Sequence, residues 1–224
     1  MLGLDGCRSG WAGLVWDGTA VGGVFGTTID VAVSAALAEG PIDVIGVDMP
    51  IGLPDSGQRR ADLLARAALG PRRSSVFVTA TRAALAGRTR GEADALNRAR
   101  GGQGVTAQAF HLGPKIAEVD AWVRDGAVGL RVVEVHPELS FAELAGGEPL
   151  ADAKRTWAGA SRRRALLRAA GLDLDGVDLG PVRREAAADD VVDAAAAPRS
   201  ALRVARGTAV SRPGPPQRFS DGWS

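Results

Sequence analysis

The first fifteen residues decide the fold, and they read Met1-Leu-Gly-Leu-Asp5-Gly-Cys-Arg-Ser-Gly10-Trp-Ala-Gly-Leu-Val15. The apolar residues on either side of the glycine-rich turn predict two strands, the second running through Trp11 to Trp16. Asp5 is predicted to lie where the first strand stops. Because a carboxylate is costly inside a buried strand, its place at a strand end calls for either solvent or a bound cation.

The residues from Thr19 to Asp48 extend this hairpin into a sheet. Thr19–Phe25 predicts a short third strand, and Ile29–Glu39 carries apolar residues at helical spacing. Between Asp43 and Asp48 lies a short apolar run of mostly β-branched residues, which is typical of a strand covered on both faces. Three strands, a helix and a buried strand predict a mixed α/β sheet. Asp48 ends its strand as Asp5 is predicted to end the first.

The rest of the chain is predicted to complete a single domain of residues 1–212, with a helical insertion over about residues 54–126. Within the insertion, Gln58–Leu69 and Thr106–Arg124 have helical periodicity, and Arg72–Phe77 is predicted to be a polar loop. Strand character resumes in Val128–His136.

The C-terminal part is predicted to hold one last long helix. This helix starts near Pro181 and carries Asp189, Asp190 and Asp193. Pro198 lies in its path and is predicted to kink or end it, because proline lacks the backbone N–H that a helix interior needs. Residues 213–224 are predicted to form a flexible tail.

Composition excludes several classes of function. The 27 basic and 26 acidic residues give a net charge of +1, so no overall field indicates a nucleic-acid partner. The basic residues are nearly all arginine, with lysine only at Lys115 and Lys154. A single cysteine, Cys7, fits a reducing compartment. With no signal peptide and no apolar run of membrane-spanning length, we expect a cytoplasmic protein without a membrane partner.

Acidic residues recur at the predicted strand ends and on the last helix. The carboxyl ends of strands form the ligand-binding edge of an open α/β sheet. Carboxylates that converge there without lysine partners repel one another unless a cation neutralises them, and oxygen ligands suit Mg²⁺ or Mn²⁺. Each acid alone is more simply an ordinary surface carboxylate, but the joint pattern favours a shared metal site. The candidate ligands are Asp5, Asp48, Glu134, Asp190 and Asp193, and Glu138 is an alternative to Glu134.

This order of strands, helix and acids resembles the ribonuclease H-like superfamily, and Asp190-Val-Val-Asp193-Ala is similar to the ending of its Holliday-junction resolvases. A closer likeness, over nearly the whole chain, is to a bacterial domain-of-unknown-function family described as predicted ribonuclease H-like nucleases. The motifs that carry it are Leu4-Asp-Gly-Cys7, Gly10-Trp11, Asp48-Met-Pro-Ile-Gly-Leu53, Gly70-Pro-Arg-Arg-Ser-Ser-Val-Phe77, Pro114-Lys-Ile116, Glu118-Val-Asp120, Glu134-Val-His-Pro-Glu138, Ser140-Phe141, Ala188-Asp-Asp190 and Asp193-Ala194.

The resemblance implies a five-stranded mixed sheet flanked by helices and a metal-dependent nuclease. Two Mg²⁺ or Mn²⁺ ions, held by the five acids, would serve phosphodiester cleavage in nucleic acid. The predicted substrate contacts are Arg72, Arg73, Ser74, Ser75, Lys115 and His136. By composition alone, Ser74 or Ser75 capping the next helix is as good an interpretation of the first four. For Lys115 and His136 the plain alternatives are a solvent-directed lysine and a satisfied strand-end histidine.

Two other classes of function compete with the nuclease. Sugar kinases and actin-like ATPases share the core fold and also carry an Asp before a glycine turn in the first strand. They need a second, duplicated core and a further glycine-rich phosphate hairpin, for which this chain offers no candidate. The other alternative is a catalytically inert nucleic-acid-binding module, which divalent-metal affinity would distinguish from an enzyme.

Overall fold

A computed structural model of the chain describes residues 1–127 and 129–219. The first residue of the predicted strand Val128–His136 and the last five residues of the predicted tail lie outside these ranges. The chain divides into two compact units. The first unit comprises Met1–Met49 and Trp122–Ala209, and the second comprises Pro50–Ala121 with the described residues from Val210 onward. The predicted domain limits stay a prediction.

The first unit is built on one five-stranded mixed sheet in the order β3-β2-β1-β4-β5. β1 pairs with β2 antiparallel and with β4 parallel, and β4 pairs with β5 parallel. The α/β class and the five-stranded mixed sheet flanked by helices are therefore confirmed, and they are consistent with a ribonuclease H-like arrangement. The strands are β1 (Leu2–Cys7), β2 (Gly10–Trp16), β3 (Val21–Gly26), β4 (Ile45–Asp48) and β5 (Val132–Glu134).

Helices surround this sheet, and threonine side chains define where two of them begin. The Thr28 hydroxyl accepts a hydrogen bond from the Val31 amide, and the Thr156 hydroxyl accepts one from the Gly159 amide, which satisfies N–H groups at the two helix starts. The helices of the first unit are α1 (Ile29–Glu39), α5 (Pro137–Leu144), α6 (Trp157–Ala169), α7 (Val182–Glu185) and α8 (Ala188–Ala205).

The second unit is helical and is organised around a buried ion pair. The Arg59 guanidinium contacts Asp62 at 3.3 Å and donates to the Ile51 carbonyl, and Asp62 accepts from the Thr79 amide. This network fixes the loop that follows a 3-10 helix, Gly70–Ser75. The other elements are α2 (Arg60–Leu69), the 3-10 helix Arg82–Ala86, α3 (Arg90–Ala99) and α4 (Ala107–Asp125), whose last residues belong to the first unit.

Close packing of α8 on the sheet depends on small residues. Four consecutive alanines, 194–197, are fully buried where the helix meets β1 and β4. A methyl group added to Gly3 of β1 would lie 2.1 Å from Pro198 Cδ and 2.4 Å from the Ala194 carbonyl oxygen. One added to Gly46 of β4 would lie 3.0 Å from the Ala197 carbonyl oxygen. The helix therefore lies directly against the backbones of the two central strands.

The predicted ends of three elements are wrong. The strand predicted over 128–136 is confined to Val132–Glu134, and the loop predicted from Arg72 is largely the 3-10 helix Gly70–Ser75. The final helix is two helices, α7 and α8. Pro198 does not end α8, which continues to Ala205, because the buried proline ring packs on Gly3 and the contact with the sheet supports the helix on both sides of it.

Part of the predicted tail packs within the second unit, to which it belongs. Gln217 accepts a hydrogen bond from the Arg60 amide, and Pro213 is buried. No helix within residues 1–127 and 129–219 combines the length and the apolar character that crossing a membrane requires.

Candidate metal centre

The candidate site begins with two aspartates on neighbouring strands. Asp5 of β1 is in register with Asp48 of β4, and this is the last residue pair of the parallel ladder. Because side chains alternate along a strand, Asp5 shares a face with Gly3, and Asp48 shares a face with Gly46. That face carries α8. Contrary to the prediction, β1 does not end at Asp5 but continues to Cys7 in its pairing with β2.

The third acid comes from α8. Asp193 directly precedes the buried alanines that pack on Gly3 and Gly46. The close approach of the helix therefore brings its carboxylate to the strand ends. One oxygen each from Asp5, Asp48 and Asp193 lies within 4.8 Å of the others. Among the described residues these three form a group with metal-ligand spacing.

Burial makes the negative charges of these acids costly. Asp5 is 7% exposed and Asp193 is 2% exposed. Burial raises the pKa of Asp5 well above its usual value, and the charges of Asp48 and Asp193 raise it further. Burial likewise raises the pKa of Asp48 well above the usual value, with Asp193 adding to it. Two unit charges within 4.8 Å repel by roughly 3.5 kcal/mol at an effective dielectric constant of about 20.

One buried oxygen of the group has no hydrogen-bond partner. Asp193 Oδ1 is fully buried, and no donor contacts it in the described part of the chain. An unsatisfied buried acceptor normally costs about 1–3 kcal/mol. Mg²⁺ and Mn²⁺ bind carboxylate oxygens in such positions, and the three acids offer only oxygen ligands. The residues present therefore fit a divalent cation.

A lysine that the sequence analysis did not assign to the site contacts this group. Lys154, in the segment before α6, forms an ion pair with Asp193 Oδ2. Its charge lowers the pKa of Asp5 and Asp48 against the larger effects that raise them. The expectation of acids converging without lysine partners was therefore wrong. The signal was present in the sequence, because Lys154 is one of only two lysines in an arginine-rich chain.

The other two predicted ligands lie around the trio. Glu134 is exposed at the end of β5, and its charge contributes to the raised pKa of Asp48. Asp190 is half-buried, and its carboxylate accepts a hydrogen bond from the Ala187 amide at the start of α8. Burial and the neighbouring Asp189 raise the pKa of Asp190. Both acids act on the trio through their charge but are not part of the group within 4.8 Å.

Glu138, the alternative to Glu134, is bound elsewhere. Both of its carboxylate oxygens accept from Arg163 Nη2, at 2.7 and 2.8 Å, and both side chains are buried. This pairing satisfies the Glu138 charge and favours Glu134 as the acid that faces the trio. Arg163 also lies over the Phe141 ring, at 5.4 Å from its centre.

The residues predicted to bind substrate are divided between the two units. His136 lies in the first unit, half-buried, and directly precedes α5. Arg72 to Ser75 and Lys115 lie in the second unit, the former in the 3-10 helix and the latter in α4. The Ser75 hydroxyl donates to the Arg72 carbonyl at 2.8 Å, and Arg66 donates to the Arg73 carbonyl at 3.1 Å. These bonds hold the backbone of the short helix, and substrate binding by its side chains stays a prediction.

Comparison with known proteins gives one relation. Neither the curated proteins nor the solved structures contain a match to this chain. The model of a protein family matches residues 3–218, which include the three aspartates and all of the sheet except Leu2. The chain therefore belongs to the family described as Protein of unknown function, DUF429.

Proposed function

We propose that this protein is a divalent-metal-dependent hydrolase that cleaves phosphodiester bonds in nucleic acid, with Asp5, Asp48 and Asp193 as the metal ligands. The observation that carries the proposal is a buried trio of carboxylates, in which an oxygen of Asp193 has no hydrogen-bond partner in the described part of the chain. An acidic group with this imbalance is costly for a purely structural role. A bound divalent cation would supply the Lewis acid that polarises a phosphate and activates a water molecule.

The residues around the trio have separate roles in this proposal. Asp5 and Asp48 present their carboxylates from the last paired residues of two inner strands, and Asp193 completes the group from α8. Glu134 and Asp190 lie at the rim, where their charges add to the negative potential without direct contact. The nucleic-acid substrate and the phosphate contacts of Arg72, Arg73, Ser74, Ser75, Lys115 and His136 are part of the proposal.

The location of the protein belongs to the same proposal. We propose that it works in the cytoplasm, since its single cysteine, Cys7, is buried and is not part of a disulfide bond. The phosphotransferase alternative is weaker because the described residues form one five-stranded sheet, whereas proteins of that class use two cores.

Cleavage assays test the proposal. We expect purified protein to cut at least one member of a panel of single strands, duplexes, hybrids and branched junctions when Mg²⁺ or Mn²⁺ is present. Substitution of a residue that only supports a metal ligand commonly lowers activity by about 10–100-fold. Asp5→Asn changes a proposed ligand itself, so it should lower the rate by at least about 100-fold. The matched control is Asp30→Asn, which changes an exposed acid in the first turn of α1. Cleavage of no substrate with either metal, or activity that survives Asp5→Asn, contradicts the proposal.

A further inference from the structure

Lys154 is placed to act as a permanent cation of the acidic site. Its ammonium contacts Asp193 Oδ2, while Oδ1 of the same carboxylate is buried without a hydrogen bond from any described residue. The two oxygens of Asp193 therefore differ. Oδ2 contacts the Lys154 ammonium, and Oδ1 accepts no hydrogen bond from a described residue. The Lys154 side chain is 35% exposed, so it can be reached from solvent.

The segment that carries Lys154 is fixed on both sides. Two residues earlier, the Asp152 carbonyl accepts from the fully buried Arg163 at 3.1 Å. Two residues later, the Thr156 hydroxyl donates to the Ala153 carbonyl at 2.8 Å, and Arg155 donates to Asp189 at 2.9 Å. A lysine that merely reached across a surface would not need these attachments. They position the backbone that carries Lys154, and the contact with Asp193 positions its ammonium.

The choice of lysine is itself informative. Of 27 basic residues in the chain, only Lys115 and Lys154 are lysines. Arginine carries a planar, delocalised group, whereas the lysine ammonium is a compact point charge of a size closer to that of a metal ion. A position that keeps lysine in such an arginine-rich sequence fits a need for the compact charge.

We propose that the Lys154 ammonium occupies the second cation position of the site, so that the trio binds one divalent cation rather than two. This inference rests on the proposed function, and it replaces the two-ion site that the family resemblance implied. One divalent cation and one ammonium neutralise the three carboxylates of the trio, and because the ammonium contacts Asp193 Oδ2, Oδ1 is the oxygen of that residue left for a metal ion. Glu134 is exposed and Asp190 is half-buried at the rim, and their charges would help the trio to hold a second divalent cation once the ammonium is removed.

The arrangement gives Lys154 a further task during hydrolysis. An ammonium has three N–H donors, and Asp193 takes one of them. Its other two donors would contact a phosphate oxygen bound beside the metal ligands. Lys154 would thus stabilise charge on the phosphate that a second metal ion stabilises in a two-metal site.

Titration of metal-free protein with Mn²⁺ in a calorimeter tests this inference without substrate. We expect one ion per chain for the wild type and two for Lys154→Met, because the methionine removes the charge and keeps the length of the side chain. Lys154→Arg retains a positive charge and should stay at one ion. The matched control Arg164→Met removes an exposed cation of α6 that pairs with Asp175, away from the trio, and should also stay at one.

Electron paramagnetic resonance gives a second readout. Two Mn²⁺ ions roughly 3.5–4 Å apart are magnetically coupled, so Lys154→Met should show a coupled spectrum and the wild type an isolated-ion spectrum. Lys154→Gln is the second variant if the methionine protein does not fold. Two ions in the wild type, or one in both uncharged variants, overturn the inference and leave the proposed function intact. Absence of Mn²⁺ binding to the wild type overturns both.

Discussion

The first unit contains two buried groups of charged residues, which differ in how their charges are balanced. Between α5 and α6, Glu138 is paired with Arg163, which also donates to the carbonyls of Asp152 and Gly159. At the strand ends, Asp5, Asp48 and Asp193 lie within 4.8 Å of one another, with Lys154 as the cation in contact. Charge is balanced in the first group. In the second, carboxylates exceed cations.

This difference separates a structural ion pair from a candidate site. A buried pair with balanced charge contributes to a defined fold, and removal of one partner is costly. A buried group with unbalanced charge reduces the stability of the metal-free protein and can bind a ligand of opposite charge. Burial does not distinguish the two groups, and neither do unsatisfied atoms, since Arg163 Nε and Asp193 Oδ1 are both buried without a hydrogen-bond partner in the described part of the chain. The balance of charges distinguishes them.

Neutralising one acid in each group should have opposite effects on stability. Glu138→Ala leaves the buried Arg163 charge without its partner and should lower the free energy of unfolding by about 3–5 kcal/mol. Asp5→Asn removes one of three repelling charges and should leave the metal-free protein at least as stable as the wild type at neutral pH. Urea unfolding in the presence of a chelator measures both variants. Equal destabilisation by the two would show that the groups do not differ.

A single added methyl group should weaken the close contact between α8 and the sheet. Gly3→Ala places a methyl group 2.1 Å from Pro198 Cδ and should cost about 1–3 kcal/mol of stability. It should also weaken Mn²⁺ binding, because the displaced α8 would move Asp193 away from Asp5. The matched control is Gly22→Ala in β3, where the added methyl group would lie 3.6 Å from its nearest neighbour. If the Gly3→Ala protein is destabilised but binds Mn²⁺ with unchanged affinity, the metal site does not depend on this packing.

The pH dependence of stability should be the smallest of these effects. Burial and neighbouring acids raise the pKa of Asp5 and Asp48 in the folded protein. The folded state therefore binds more protons than the unfolded state above about pH 4, the ordinary value for aspartate, and the contribution of these groups to stability falls as pH rises. We expect Asp5→Asn to gain stability relative to the wild type as pH increases in metal-free buffer. Saturating Mn²⁺ should abolish that gain, and a constant difference across pH would contradict the raised pKa.

Local sequence signals were sufficient for most of the sheet and for α1. The predicted helix Ile29–Glu39 has the observed bounds, because Thr28 supplies a hydrogen-bonding cap at its start and Gly40 follows its end. The mixed sheet followed from the pattern of apolar runs. These features depend on residues that are near one another in the chain.

The features that sequence reasoning missed depend on distant residues. Pro198 is tolerated within α8 because Gly3, far away in sequence, makes room for its ring. Lys154 reaches Asp193 across 39 positions, and Arg163 reaches Glu138 across 25. Neither pairing has a local periodicity. The five acids could be predicted as candidates, but which three would meet depended on how closely α8 approaches the strands.

Diffraction from crystals grown with Mn²⁺ would show whether the three aspartates bind a metal ion, because the anomalous signal locates the ion itself. We expect one Mn²⁺ peak in direct contact with carboxylate oxygens of Asp5, Asp48 and Asp193, including Asp193 Oδ1, with the Lys154 ammonium still on Oδ2. A map with no peak at these three residues, or with its Mn²⁺ bound only elsewhere on the protein, would contradict this expectation.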